Sequence, residues 1–154
     1  MFNRGLLIAI CMALSACASN QQNFAEFNRQ FAEAKFPVRY TLEKTETTEI
    51  WDTVWAGEVA PSAAFRSDVL FEGIITNIEK KCGYGLDELV ETRVVSHEAL
   101  VFYEVWVFAD EKSKRKDKRS AQTVYMEAWP DQTRTEYQLI GPCQASYPSF
   151  MFSE

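Results

Sequence analysis

The sequence predicts an α+β fold: one or two helices packed on an antiparallel meander sheet of about four to six strands. Two patterns carry this expectation. Between residues 67 and 82, Leu70, Phe71, Ile74, Ile75, Ile78 and Cys82 fall on one face of a 3.6-residue period, and Gly83 follows as a stop. From residue 89 to residue 140, apolar runs of strand length alternate with polar or proline-bearing turns.

The elements follow in order. Asn23 with Glu26 three residues on resembles a capping box, and Phe24, Phe27 and Phe31 recur at helical spacing, so a helix of roughly three turns is expected before Pro37. Its phenylalanines are expected to pack in the domain, although they could lie on a membrane surface. Val38, Tyr40 and Leu42 alternate with polar residues as in a strand, and residues 45–48 form a polar break. Ile50, Trp51, Val54 and Trp55 are ambiguous, helical in spacing and strand-like in composition. Residues 57–62 read as a loop around Pro61, and the helix at 67–82 is the clearest in the chain. Strands are then expected at 89–95, 100–108, 121–129 and 133–140, with a basic hairpin tip between the second and third and a turn at Pro130-Asp131 between the third and fourth.

The chain has 154 residues, of which 47% are hydrophobic and 25% charged, so a folded core is the default rather than disorder. Its net charge of −6 argues against general nucleic-acid binding, which depends on neutralising phosphates. The charge is segregated: Lys112, Lys114, Arg115, Lys116, Lys118 and Arg119 against Asp117 give one short stretch +5.

Residues 1–4 are short and positive, and residues 5–14 form an apolar run of ten. That run is too short to span a bilayer, which takes about 20 residues, but it suits the core of an export signal. It ends in Leu14-Ser15-Ala16-Cys17. This resembles the lipobox of bacterial lipoproteins, a likeness confined to the first 17 residues. The resemblance implies removal of a signal peptide at 1–16, diacylglycerol on the Cys17 thiol and acylation of the new amino terminus. Acyl burial is worth about 0.8 kcal/mol per CH₂, so two or three chains hold a protein at a membrane permanently. Residues 17–22 then form a tether and 23–154 a single domain of the periplasm. Ala18 and Ser19 after the cysteine imply sorting to the outer membrane under the rules of enteric bacteria, with surface exposure left open. Removing Arg4 leaves 15 basic and 22 acidic residues, so the exported chain carries −7, and −12 outside the basic stretch.

Of four cysteines, Cys11 leaves with the signal and Cys17 takes lipid, leaving Cys82 and Cys143 in an oxidising compartment. A disulfide between them is expected, closing a loop of roughly 60 residues worth about 4 kcal/mol in the chain-entropy model. A metal site or a reactive thiol are the alternatives. A metal site would want more ligands at short spacing, and His97 is the sole histidine. No metal or cofactor is expected.

Within the apolar strand at 100–108, Glu104 is the exception, and an unpaired buried carboxylate is costly. If the basic tip is symmetric, Glu104 lies opposite Tyr125, and Tyr125 opposite Tyr137. One sheet face would then carry Phe102, Glu104, Trp106, Tyr125, Glu127, Trp129 and Tyr137, an aromatic surface able to bind a glycan, a lipid head or a partner strand. The alternative, which we favour, has the Phe24/Phe27/Phe31 helix covering that face and Glu104 bonded to a tyrosine. The basic stretch is a candidate contact for anionic lipid, lipopolysaccharide phosphate or an acidic partner, against a plain solvated turn. His97-Glu98 reads as a surface turn. No nucleophile elbow, phosphate-cradling glycine loop or zinc-protease helix is present. The leading functional expectation is a non-enzymatic accessory lipoprotein, bound to the membrane by its lipid and to an envelope protein by its domain. A binder of small envelope ligands on the aromatic face comes second, and a hydrolase acting through His97 and a carboxylate third.

Overall fold

In the computed structural model, which describes residues 23–143 and 150–153, the layers are helix, sheet, and a second smaller sheet with its own helix. The expected signal at 1–16, Cys17 and the expected tether at 17–22 lie outside the described residues. Helix α1 spans 23–33. It is followed by the hairpin β1 (Val38–Lys44) and β2 (Thr48–Trp55), closed where the Thr45 N–H donates to the Thr48 carbonyl at 2.8 Å. The ambiguous segment at 50–55 is therefore a strand. Its indoles decide the matter: Trp51 and Trp55 alternate with outward residues and are buried, as a two-residue period requires.

After the short β3 (Glu58–Val59), a 3₁₀ turn at Ala63–Arg66 leads into helix α2 (Asp68–Cys82). The Ser67 hydroxyl caps α2 by accepting from the Leu70 N–H, and Gly83 at φ 79° ends it in the left-handed region. A meander completes the main sheet: β4 (Leu89–Glu98), β5 (Val101–Ala109), β6 (Arg119–Ala128) and β7 (Thr135–Ile140), in spatial order β3-β4-β5-β6-β7. The fold is α+β, and its main sheet has five strands. Strand β8 (Phe150–Ser153) adds to β2 and makes a separate three-stranded sheet, β1-β2-β8. Phe150 and Phe152 thus contribute backbone pairing to the edge of β2.

Strand β5 is central, and Tyr103 through Phe108 are all buried. Phe102, Trp106 and Phe108 join α2's Ile74, Ile75 and Ile78 with Val124 and Met126 in one cluster. Tyr103, Val105 and Val107 join Val38, Trp55, Ala56 and Ala121 in the other, against the small sheet. Helix α1 belongs to this second side. Phe24 and Phe27 pack edge-on to Trp51, and Phe31 meets Phe36 and Tyr40. The Asn28 amide both donates to the Tyr40 carbonyl and accepts from its N–H, occupying the free edge of β1 as a neighbouring strand would. Cys82 and Cys143 are joined in a disulfide, Cα atoms 5.3 Å apart, tying the end of α2 to the segment after β7.

Candidate functional site

Three of the seven residues expected on one aromatic face need reassignment. Glu104 pairs with Val124, not Tyr125, and Tyr125 pairs with Tyr103 and Gln138. The tip is not symmetric about the assumed point, and a one-residue slip turns every side chain of a strand over. Tyr125, Glu127 and Trp129 therefore point to the opposite side, where the Lys35 ammonium lies 5.4 Å from the Tyr125 ring. A second slip between β6 and β7 pairs Tyr137 with Met126 and returns it to the side of Phe102, Glu104 and Trp106. That side is covered, by α2 and not by the phenylalanine helix α1. The Tyr137 hydroxyl donates to the Gly73 carbonyl at 2.9 Å and accepts from the Asn77 amide.

Glu104 does not bond to a tyrosine. One carboxylate oxygen accepts from the Ala63 N–H at 2.8 Å and the other from the Trp106 indole at 2.9 Å. The carboxylate thus pins the 3₁₀ turn before α2 to the central strand. With both oxygens occupied, its burial carries no orphan penalty, and no buried side-chain polar atom among the described residues lacks a partner.

The basic stretch is folded back on the domain rather than extended from it. The Arg115 guanidinium lies 4.1 Å above the Trp55 ring, donates to the Thr53 hydroxyl at 2.7 Å and pairs with Asp117 at 3.2 Å. The Trp55 indole N–H reaches the same Asp117 at 3.1 Å. Arg119 lies 3.8 Å from Glu91, and the Lys118 ammonium donates to the Ser113 carbonyl. Asp110 anchors the base of the loop, accepting from the Ser120 hydroxyl at 2.6 Å, Tyr84 at 2.9 Å and the Lys112 N–H at 3.0 Å. Burial pushes its carboxyl up, but these hydrogen bonds outweigh that and hold the pKa below its ordinary value. Of the six cations, Lys112, Lys114 and Lys116 are exposed with no hydrogen bond or ion pair to their ammonium groups among the described residues, although the Lys112 charge also helps to lower the Asp110 pKa.

At the other end of the sheet, α2 begins too far from the β4–β5 and β6–β7 turns to close the sandwich. A cleft of about 430 Å³ is left, with Leu70, Leu100, Phe102 and Met126 as apolar lining and Arg66, Ser67, His97, Gln132 and Thr135 as polar lining. A hollow of about 280 Å³ adjoins it, sharing Ala63, Arg66, His97 and Phe102 and reaching Glu104. The His97 imidazole stacks on Phe102, ring centres 4.2 Å apart and planes at 27°. Arg66 and His97 are exposed and have no hydrogen-bonding or ion-pair partner among the described residues. Among the described residues, no carboxylate lines the larger cleft.

No family model, curated protein or solved structure matches this chain.

The chemistry of the cleft is accordingly read from its own atoms. Among the described residues, no carboxylate hydrogen-bonds to His97 and no group of three His, Cys, Asp or Glu could hold a metal. What the cleft offers is a guanidinium fork, an imidazole, hydroxyls and an amide above an aliphatic lining. Sequence reasoning passed over Arg66. One signal was available: a cation immediately before the N-cap of the clearest helix opposes the positive end of the helix dipole. His97 was noticed, but its place against Phe102 depends on pairing across β4 and β5, and its place in the same cleft as Arg66 on the packing of the 3₁₀ turn over the sheet.

Proposed function

We propose that this chain is a lipid-tethered, non-enzymatic binding domain of the bacterial envelope, with acyl chains on Cys17 holding it at the outer membrane, domain facing the periplasm, and the cleft beside Arg66 and His97 as its binding site. One observation carries the binding role: a chain with 22 acidic residues keeps a cleft of about 430 Å³ free of carboxylates and lines it with an unpaired arginine and its single histidine. Concave sites where a few polar groups converge beside an apolar lining are where small ligands bind. The tether rests on the lipobox-like residues 14–17, and no helix among the described residues is long and apolar enough to cross a membrane.

Native mass spectrometry of the chain recovered from its own envelope tests the binding role. A small-molecule adduct is expected on the wild type and should be lost when Leu100→Trp fills the cleft. Identical spectra for the two would remove the cleft from consideration. Labelled palmitate should enter the wild type and not Cys17→Ser.

A second reading has its own support. Lys112, Lys114 and Lys116 stand on a loop fixed by Arg115, a preorganised cationic surface suited to an acidic envelope partner.

A further inference from the structure

Resting on the binding-domain reading, we infer that the cleft takes a small amphiphile: an anionic head, carboxylate or phosphate, at Arg66 and His97, and an aliphatic tail along Leu70, Leu100, Phe102 and Met126.

The head follows from charge. Arg66 is exposed at the mouth with no carboxylate to pair with, in a chain where acids outnumber bases 22 to 16. A guanidinium presents a planar fork that matches the two oxygens of a carboxylate or phosphate. Beside it the imidazole of His97, held flat by its stack on Phe102, supplies a second donor. The neighbouring carboxylate, Glu104, forms no ion pair or hydrogen bond with Arg66; its two oxygens accept instead from the Ala63 N–H and the Trp106 indole.

The tail follows from the lining. A sugar or a nucleobase needs the open face of a ring on which to stack. The aromatic ring of the cleft is Phe102, and His97 already lies against it at 4.2 Å. The other apolar groups are Leu70, Leu100, Met126 and small alanines, which suit a flexible hydrocarbon chain. Met126 lies beneath these groups, fully buried, and adds to the apolar base of the cleft.

Titration calorimetry on the lipidated full chain in phosphatidylcholine nanodiscs, with empty discs as the blank, tests this with three probes: octanoate, octyl phosphate and octanol. At least one anion should bind with one-to-one stoichiometry, and octanol should bind roughly tenfold more weakly, as loss of a charge-assisted hydrogen bond implies. Whichever anion binds more tightly names the head group. Arg66→Gln, at an exposed position, should lower the anions to the level of octanol, and Leu100→Ser should weaken all three. Octanol binding as tightly as both anions, or anion binding untouched by Arg66→Gln, would overturn the inference while leaving a binding cleft in place. If no probe binds and the native adduct is also absent, the binding role falls with it.

Discussion

Arginine stands at both ends of the five-stranded sheet, yet the two ends use it in opposite ways. At the closed end, Arg115 is stacked on Trp55, bonded to Thr53 and paired with Asp117, while Asp110 gathers Tyr84, Ser120 and the Lys112 N–H. The Cys82–Cys143 bridge seals the same end. At the open end, Arg66 and His97 have no such partners, and the layer above them stops short. Half of a dense run of basic residues proved structural and the other half is lysine facing solvent; within the cleft, one isolated arginine stands without a partner. Charge without a partner, not charge density, marks the place where a ligand is still needed.

The sharpest way to break this comparison is to remove matched apolar groups from the two ends of one strand face. Trp106 is fully buried beneath α2, so Trp106→Ala should cost about 3–5 kcal/mol in denaturant unfolding. Leu100→Ser, at the half-buried lip of the cleft, should cost about 1 kcal/mol or less. Similar losses at both would mean that the open end is as much core as the closed one.

The basic loop offers a smaller contrast within itself. Arg115→Ala removes a cation–π contact and the bond to Thr53 and leaves Asp117 without its guanidinium; the expected loss is about 1–2 kcal/mol. The triple change of Lys112, Lys114 and Lys116 to Gln should stay within about 0.5 kcal/mol, as surface substitutions do. Binding to anionic vesicles, measured at low salt where it is least screened, should fall in the triple variant and hold in Arg115→Ala. Equal binding by wild type and triple variant would retire the loop as a contact surface.

Asp110 makes the closed end sensitive to acid. Its folded pKa lies below the unfolded value of about 3.9, so its contribution is complete above that pH and is lost as pH falls through the lower folded value. Wild-type stability should therefore drop more steeply below about pH 4 than that of Asp110→Asn, which should be weaker at neutral pH and flatter in acid. Parallel curves would show that the carboxylate is not what ties the loop to Tyr84 and Ser120.

How much of this was legible beforehand depended on the range of the interaction. Helix α2, with its Ser67 cap and Gly83 stop, is written in neighbouring residues, and so is the doubly buried β5. The Cys82–Cys143 pairing followed once the lipobox-like reading set Cys11 and Cys17 aside, leaving two cysteines to pair. The register was not legible, because the loop at 110–118 folds on itself through Asp110, Ser113 and Lys118 instead of turning symmetrically. That single residue of slip moved Tyr125 to the far side. The second sheet was hidden for a similar reason: β2 and β8 lie about a hundred residues apart in sequence, a separation at which pattern arguments carry no information. The cleft is the most nonlocal feature of all, since it exists only where α2 and two separate turns fail to meet.

One of those turns stores a little strain at the open end. Ala99, which lines the cleft, sits at φ 51°, the left-handed region that glycine adopts freely and a Cβ disfavours. Ala99→Gly should relieve that cost, and the gain, offset in part by greater freedom of the unfolded chain, should be no more than about 1 kcal/mol. The informative measurement is octanoate affinity in the same variant. If the alanine serves to hold the β4–β5 turn and keep His97 beside Phe102, affinity should fall while the melting temperature rises, opposite signs that simple relief of strain does not produce. Rising stability with unchanged affinity would show that the strain belongs to the hairpin alone and that the cleft owes nothing to it.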